Sequence, residues 1–321
     1  MITDPVVVND WHPVAQSRDV VPGRVLGAQL LGEGIVLWRV DGQVRAWRDL
    51  CMHRGTRLSL GRVENNCIVC PYHGWTYDQD GQCVKFPAHP NQKPPAKAHA
   101  NVYQVQERYE LVWVCLGEPQ QDIPPFPEWD NASYRKLLCG PYRFNASGPR
   151  IVENFLDIAH FPFVHAGILG DPTRPVIEDY TVQTTPTGIS ANDVRIWQPD
   201  AYGTGEGDTV TYTYHAFRPL TAYFAKESDK RVSILLTVTP HDVTQSTAWM
   251  WMAMNYSHDL PAEALIGWQN QIVSQDLPIV ESQRPELLPL DLQAELHLRS
   301  DRAAVAYRKW LSEIGLTFGT A

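Results

Sequence analysis

The sequence contains no apolar run that approaches the ~20 residues of a membrane-spanning helix. Its first residues, MITDPVVVND, include an early aspartate and no basic segment, so we expect no secretory signal. Acidic residues outnumber basic ones by 36 to 27, and no basic cluster with interleaved aromatic residues occurs. With a net charge of −9, neither nucleic acid nor an anionic membrane is expected as a partner.

Cysteines are few and show no regular pairing. Six occur in 321 residues, without the spacing of a disulfide scaffold. A reducing cytoplasm is therefore the expected compartment. The length allows two domains with hydrophobic cores, and the hydrophobic fraction of 44% is ordinary for a globular protein.

A dinucleotide-binding fingerprint is also missing. The glycine-rich stretch of Gly203, Gly205 and Gly207 has the wrong spacing for GxGxxG, and a strand is predicted after it where a helix would be needed. If this chain carries out redox chemistry, its electrons must come from a separate protein.

The chain does contain a pair of Cys–His motifs. Cys51 and His53 form Cys-x-His, and sixteen residues later Cys70 and His73 form Cys-x-x-His. Two thiolates and two imidazoles on paired loops are typical of a Rieske [2Fe–2S] cluster, in which two histidines replace two cysteines on one iron. Neutral imidazole donates less negative charge than thiolate and so raises the reduction potential. The motif predicts a protein that transfers single electrons.

A structural zinc site is the alternative, because zinc also binds two cysteines and two histidines. Zinc fingers usually keep the cysteines as one pair and the histidines as another. In this chain each loop carries one cysteine and one histidine, so each loop can give one ligand to each iron. This spacing favours the iron–sulfur cluster over zinc.

A second candidate metal motif lies in residues 153–165, ENFLDIAHFPFVH. Non-heme Fe(II) oxygenases bind iron through two histidines and one carboxylate and leave the other positions open. Asp157 and His160 are three residues apart and are predicted to share a helical face. His165 lies about 140° from His160 on an ideal helix. Pro162 is therefore predicted to break the helix and let the two histidines converge.

Spacing alone leaves the carboxylate ligand open. Asp157 could serve, and further candidates lie on a helix predicted over residues 261–283 or just after it: Glu263, Asp276, Glu281 and Glu286.

The pattern along the chain indicates two domains. The first 120 residues read as short strands with turns at 32–34, 41–42 and 80–81, which predicts an all-β domain with the cluster ligands at loop tips. A proline-rich connector follows, and we place the boundary between residues 140 and 141, giving domains 1–140 and 141–321. Residues 176–255 predict an antiparallel sheet, and helices are predicted after it.

Together these motifs resemble the oxygenase subunits of Rieske non-heme iron oxygenases, in the branch of vanillate O-demethylase, dicamba monooxygenase and toluenesulfonate monooxygenase. Stretches such as IVCPYHGW and DIPPFPEWD also look like cyanobacterial saxitoxin-pathway Rieske hydroxylases, in overall frame more than in pocket residues. The resemblance implies an α+β fold. An N-terminal all-β Rieske domain would precede a helix-grip catalytic domain, whose antiparallel sheet is covered by helices.

The resemblance also implies roles for particular residues. It selects Asp276 as the third iron ligand and places Asn154 and Asp157 in the catalytic motif. In related oxygenases the equivalent aspartate links an iron-ligand histidine to a cluster histidine of the next chain in a head-to-tail trimer. Carried over, the electron path would run from His73 through Asp157 to His160. A simpler alternative is that Asp157 only orients His160.

The implied activity is that of a monooxygenase. It would use O2, a [2Fe–2S] cluster, mononuclear Fe(II) and electrons from a separate NAD(P)H-dependent reductase or ferredoxin. The substrate would be a small organic molecule, such as a saxitoxin-like alkaloid or an aromatic compound, that is hydroxylated or oxidatively demethylated. The alternative is a Rieske electron-transfer protein without oxygenase activity, against which the second metal motif argues. Candidate pocket residues are Phe155, Leu156, Ile158, Phe161, Tyr223, Phe224, Trp251 and Asn255.

Overall fold

The computed structural model describes residues 3–203 and 205–321. The chain divides into two compact units between Ile123 and Pro124, and each is described by itself below. None of the helices in the described part of the chain has the length and apolar character needed to span a bilayer.

The boundary predicted between residues 140 and 141 falls inside a strand, Arg135–Phe144. The second unit begins with the first prolines of the connector, whereas Pro141 belongs to the sheet. That strand is at the edge of its sheet, and its register shifts between Cys139 and Tyr142. Edge positions and bulges tolerate proline because no ladder hydrogen bond depends on its missing N–H.

The first unit consists almost entirely of short antiparallel strands. Its elements are helix α1 (Pro5–Val8) and strands β1 (His12–Gln16), β2 (Val25–Leu30), β3 (Glu33–Val40), β4 (Gln43–Arg48), β5 (Arg62–Glu64), β6 (Cys67–Val69), β7 (Thr76–Tyr77), β8 (Cys83–Lys85), β9 (Val102–Arg108) and β10 (Leu111–Cys115). The six-stranded sheet has the order β1-β10-β9-β4-β3-β2, and the four-stranded sheet has the order β5-β6-β7-β8. The all-β prediction for this part of the chain is confirmed.

The core of this unit supports the loops that follow β4 and β6. Trp38 and Trp47 are fully buried and pack edge to face, with ring centroids 5.1 Å apart. Leu58, Ile68 and Tyr77 belong to the same buried cluster. Cys51 and Cys70 of these loops belong to the same buried cluster, which anchors the loops from below.

The second unit is one antiparallel sheet with helices. Its strands are β11 (Arg135–Phe144), β12 (Thr181–Thr185), β13 (Gly188–Gln198), β14 (Asp208–Arg218), β15 (Thr221–Lys226), β16 (Val232–Pro240) and β17 (Ser246–Met254), and its helices are α2 (Gly148–Leu156), α3 (Phe161–Val164), α4 (Ala262–Ser282) and α5 (Arg302–Glu313). The sheet order is β11-β17-β16-β15-β14-β13-β12. The predicted sheet and covering helices are confirmed.

Helix α2 is fixed by a buried ionic network. Arg308 of α5 donates to both carboxylate oxygens of Glu153, at 2.5 and 2.9 Å, and also pairs with Glu295. Arg150, one turn before Glu153, pairs with the other oxygen of Glu295 at 2.9 Å. The arginine side chains are 3% exposed, and each has carboxylate partners, as buried charges require. The network holds the helix that leads into the second metal motif.

Candidate metal centres and substrate cavity

The two cluster loops have matching backbone geometry. In each of the loops 51–56 and 70–75, the cysteine N–H donates to the carbonyl oxygen of the residue five positions later, at 2.8 Å. The fifth residue of each loop is a glycine, Gly55 or Gly74, with φ of 69° or 68°. These left-handed conformations favour glycine because a Cβ atom strains them. The different motif spacings therefore produce equivalent turns.

The four predicted cluster ligands come together at the tips of these loops. Cys51 and Cys70 are 2% exposed, and His53 and His73 lie nearer the surface with their Nδ1 atoms 3.1 Å apart. One metal ion can bind both nitrogens, because ligands at about 2.0–2.1 Å from a metal lie roughly 3 Å apart. Trp75 stacks on the His53 ring, with centroids 4.5 Å apart and planes 4° apart. Buried thiols behind a pair of outer imidazoles fit a cluster with different ligands on its two irons.

The backbone of the second motif differs from the prediction. Helix α2 ends at Asp157, earlier than the predicted break at Pro162, because the Asp157 backbone is extended and its Oδ1 accepts the N–H of Ala159 at 2.8 Å. Pro162 lies in the first turn of the one-turn helix α3, where a missing N–H costs nothing. His160 and His165 immediately precede and follow this helix, which lets both rings face one point.

The three predicted iron ligands converge. Asp276 Oδ1 lies 3.4 Å from His160 Nε2 and 3.1 Å from His165 Nε2, and one donor atom from each residue lies within 4.8 Å of the other two. His165 Nε2 and Asp276 Oδ1 are buried and have no hydrogen-bond partner among the described residues. Buried polar atoms without partners are rare, and a metal ion would satisfy both. Two histidines and one carboxylate form the donor set of a non-heme iron site.

The Nδ1 atoms of His160 and His165 already form hydrogen bonds. Asp157 Oδ2 accepts from His160 Nδ1 at 3.0 Å, and Gln275 Oε1 accepts from His165 Nδ1 at 2.8 Å. Each bond selects the tautomer in which Nε2 is free to bind a metal. Asp157 and His160 are in contact as expected, but through the turn between α2 and α3 instead of along one helix.

The charge at the candidate iron site depends on two carboxylates, those of Asp157 and Asp276. Burial acts to lower the pKa of His160, but the nearby carboxylates of Asp157 and Asp276 outweigh burial and raise it to about 9. Burial acts to raise the pKa of Asp276, but both histidines outweigh it and hold the pKa below its usual value. Asp276 is therefore ionised, as a carboxylate ligand of a cation must be.

The other acidic candidates lie elsewhere. Glu281 accepts from the backbone N–H and side-chain amide of Asn145, at 2.7 and 3.1 Å. Glu263 is exposed in the first turn of α4, and Glu286 is exposed beside Arg284. Of the four candidate acids on or just after α4, Asp276 is the one that contacts the histidines.

A cavity of about 350 Å³ opens beside His160, His165 and Asp276. Most of its wall is apolar or aromatic, with contributions from the sheet, α2 and α4. Of the predicted pocket residues, Phe155, Phe161 and Phe224 line it, and so does the motif residue Asn154.

Five predicted pocket residues do not line the cavity. Tyr223 and Trp251 alternate with wall residues on β15 and β17 and point to the opposite face of the sheet. There Tyr223 donates to Glu128 at 2.7 Å, and Trp251 packs edge to face on Trp129. The remaining three lie in the core or at a strand end.

Leu156 and Ile158 are 3% and 1% exposed and belong to the hydrophobic core around the end of α2. Asn255 follows β17, where its side chain bonds the Arg231 N–H at 2.8 Å and the Asp229 carbonyl at 2.9 Å. These side chains are engaged in packing and turn formation, so the prediction that they form the pocket does not hold.

The cavity also contains residues that the sequence did not indicate. Met250, Met252 and Met254 occupy alternate positions of β17. Lys226 and Gln198 form a polar part of the wall. Lys226 could have been predicted as a cavity residue, because it lies two residues after Phe224 on one strand and residues two apart share a face.

Comparison with known proteins matches both units. Residues 10–105 match the Rieske [2Fe-2S] domain, and residues 144–316 match the vanillate O-demethylase oxygenase C-terminal domain. The chain belongs to the Rieske non-heme iron oxygenases. The match to the C-terminal oxygenase domain gives no support to the alternative of a protein that only transfers electrons.

Curated relatives support the same assignment. The chain is 30% identical over 318 residues to methylxanthine N1-demethylase NdmA of Pseudomonas putida, covering 95% of this chain and 88% of the relative. It is 27% identical over 343 residues to the vanillate O-demethylase oxygenase subunit of Pseudomonas sp. (strain HR199 / DSM 7063), covering 95% and 94%. The solved structure of Pseudomonas putida CBB5 NdmA with caffeine superposes with a TM-score of 0.85 at 28% identity, covering 96% of this chain and 91% of that one.

Family membership establishes the enzyme class. This Rieske oxygenase uses a [2Fe–2S] cluster and mononuclear iron, and it oxidises a small organic molecule with electrons from a reductase. The narrower resemblance to saxitoxin-pathway hydroxylases stays a prediction.

We expect Tyr77→Phe to lower the reduction potential of the cluster in this oxygenase. The Tyr77 hydroxyl lies 3.2 Å from Cys51 Sγ and accepts the Met52 N–H, so its own proton can point at the sulfur. A hydrogen bond to a ligand sulfur stabilises the more negative, reduced cluster. Spectroelectrochemical titration measures the change, with Tyr103→Phe in the same unit as the control. An unchanged potential in Tyr77→Phe would show that the hydroxyl does not act on the cluster.

We expect Gln275→Met to weaken iron binding about 10- to 100-fold, because loss of an outer partner of a metal-bound histidine usually has that effect. The variant removes the acceptor for His165 Nδ1 and keeps the side-chain length. Iron affinity is measured by chelator competition, and Gln271→Met, at an exposed position of the same helix, is the control. Equal affinities in the two variants would contradict the role given to Gln275.

Proposed function

We propose that Cys51, His53, Cys70 and His73 hold the Rieske cluster and that His160, His165 and Asp276 hold the mononuclear iron. The observation that carries the second assignment is the pair of orphaned buried atoms, His165 Nε2 and Asp276 Oδ1, that face one point in the cavity wall. When bound, the cluster supplies single electrons and the ferrous iron supplies open positions at which O2 is activated.

The reaction we propose is hydroxylation or oxidative demethylation of a small organic molecule with O2. A volume of about 350 Å³ with mostly apolar walls suits such a substrate, held by shape and a few polar contacts. The names of two relatives support demethylation, since one is an N-demethylase and the other an O-demethylase. The two outcomes differ in which C–H bond the cavity presents to the metal site.

The protein's own side chains have distinct tasks in this scheme. Asp157 and Gln275 hold the two histidines in the tautomers that present Nε2. Phe155 and Phe224, stacked with centroids 5.2 Å apart, shape the wall and exclude water from the reaction. Asn154 lines the cavity near the same helix end and is a candidate contact for the substrate.

Asp157 has a second role in our proposal, as the bridge for electrons between chains. One of its oxygens binds His160, and its side chain is 32% exposed. A head-to-tail homotrimer puts two different surfaces in contact, so the exposed His73 of one chain could reach Asp157 of the next. In this arrangement the cluster of each chain would supply electrons to the iron site of the next chain.

The proposed electron donor is a separate NAD(P)H-dependent reductase or a ferredoxin. We place the reaction in the cytoplasm, because none of the six cysteines forms a disulfide bond and a reducing compartment keeps thiols in that state.

A substrate screen tests this function. The iron-loaded protein is combined with a surrogate reductase and offered methylated and methoxylated aromatic and heterocyclic compounds, including methylxanthines and vanillate. We expect at least one compound to stimulate O2 consumption and to yield a hydroxylated or demethylated product by mass spectrometry. His160→Ala is the inactive control. Product formation that persists in that variant would contradict the proposed site.

A further inference from the structure

Lys226 is a buried ammonium group in the wall of the cavity. It ends strand β15, is 3% exposed and shares the cavity face of that strand with Phe224. Its Nζ donates to Gln198 Oε1 at 3.0 Å and to the carbonyl oxygen of Ala201, and it lies 4.4 Å from the centre of the Tyr202 ring. These partners are all neutral.

Within residues 3–203 and 205–321, no carboxylate forms an ion pair with Lys226. Burial lowers its pKa to about 8, and the charges of Asp208 and of Asp200, which also lines the cavity, only partly oppose that effect. A buried charge is costly unless it is paired, and two neutral oxygens and an aromatic face supply only part of the stabilisation that water would give. Because none of these carboxylates forms an ion pair with Nζ, an anionic group of a bound molecule could form that pair in the cavity.

The polar group is positioned away from the metal ligands. Gln198 holds Lys226 through Oε1 and donates through Nε2 to the Tyr212 hydroxyl at 3.0 Å, so the amide orientation is fixed. The Tyr212 ring packs against Phe161, with centroids 6.4 Å apart, and Phe161 packs against His160. Two aromatic rings, Tyr212 and Phe161, thus lie between the polar wall and His160, and all of these residues line the same cavity.

Given the function proposed above, we propose that the substrate is an organic anion whose carboxylate or sulfonate binds Lys226 while the carbon to be oxidised faces His160, His165 and Asp276. A charge-assisted hydrogen bond would then form in a water-poor cavity, where it is stronger than at the surface. Gln198 acts as a positioning residue that keeps the ammonium in the wall. The alternative is that Lys226 only fastens the backbone at Ala201 and contacts no substrate.

Binding measurements without turnover separate these possibilities. The probes are 4-methoxybenzoate, vanillate and 4-toluenesulfonate, each paired with the neutral amide or sulfonamide of the same skeleton. Isothermal titration with the metal-loaded protein compares wild type with Lys226→Met, which removes the charge at similar length, and Lys226→Arg, which retains it. Lys230→Met removes an exposed lysine of the same unit and serves as the control. Metal content and melting temperature are recorded for every variant.

We expect at least one anion to bind the wild type about tenfold or more tightly than its neutral partner. Lys226→Met should reduce that preference to less than about threefold, whereas Lys226→Arg and Lys230→Met should keep it. The proposal fails if the neutral partners bind as tightly, if none of the anions binds saturably, or if the preference survives in Lys226→Met. If the enzyme oxidises only neutral compounds, the anion proposal fails and the oxygenase function stands. If anions bind in a Lys226-dependent way but no compound is oxidised, the oxygenase function fails and the anion site stands.

Discussion

Asp276→Ala is expected to lose its mononuclear iron and to lower turnover by more than about 100-fold, beyond the usual effect of removing an outer partner of a metal ligand. The carboxylate supplies one of three donor atoms that lie within 4.8 Å of one another, and alanine leaves two histidines without the anion between them. The absorption spectrum of the cluster should be unchanged, because its ligands belong to the other unit. Iron analysis and O2 uptake measure the two effects.

Glu263→Ala is the matched control, since Glu263 is an exposed acid on the same helix. It should retain iron and activity. If Asp276→Ala keeps its mononuclear iron and works near the wild-type rate, the carboxylate ligand must be another residue, such as Glu281.

Asp157→Ala is expected to keep its cluster and, like Gln275→Met, to bind iron about 10- to 100-fold more weakly. When it is fully loaded with iron, it should still lose coupled turnover by at least about 100-fold. The loss of coupled turnover should exceed the effect of a misoriented His160 ring, because in our proposal electrons pass to His160 through the Asp157 carboxylate. Rapid reduction of the cluster with slow reoxidation in the presence of substrate and O2 would identify the blocked step. Asp130→Ala, at an exposed position of the same unit, is the control.

Mixing two inactive variants tests the bridge between chains directly. His73→Ala lacks a working cluster, and His160→Ala lacks catalytic iron. In a mixed trimer with transfer between chains, some intact clusters lie beside intact iron sites, so activity should return. Mixed trimers that stay inactive, while each variant keeps its other metal, would rule out the shared path.

Most residues of the two candidate metal sites could be selected from the sequence because their chemistry is local. Cys51 to His73 carry residue types and spacings that few other structures require, and His160 and His165 lie within six residues of each other. Asp276 is more than a hundred residues away, and spacing left four acids on or near its helix equivalent. Only the fold separates them, by directing Asp276 to the histidines and Glu281 to Asn145.

The cavity wall was harder to predict because the central strands carry no alternating pattern. Every residue of β17 is buried, and all but the first of β16 are buried, so both faces of the sheet are covered. Hydrophobicity then cannot tell Trp251 from Met250 or Met252. The prediction chose the aromatic residue at position 251, whereas the methionines beside it form the wall.

The helix break was also misplaced, for a local reason. Proline is the stronger breaker in sequence, but Pro162 fits the first turn of a new helix, and the Asp157 side chain ends the earlier one by accepting the Ala159 N–H. An aspartate that caps a turn and also binds a histidine leaves no distinctive spacing. The sequence predicted its contact with His160, and the structure was needed to assign the capping of the turn.

Iron and sulfide analysis of the purified, anaerobically reconstituted wild-type protein tests the central claim most directly. We expect about three irons and about two acid-labile sulfides per chain, two irons from the cluster and one from the site at His160, His165 and Asp276. About two irons with two sulfides would show that the mononuclear site is absent and would favour a protein that only transfers electrons. Zinc bound at Cys51 and Cys70, without labile sulfide, would contradict the Rieske assignment itself.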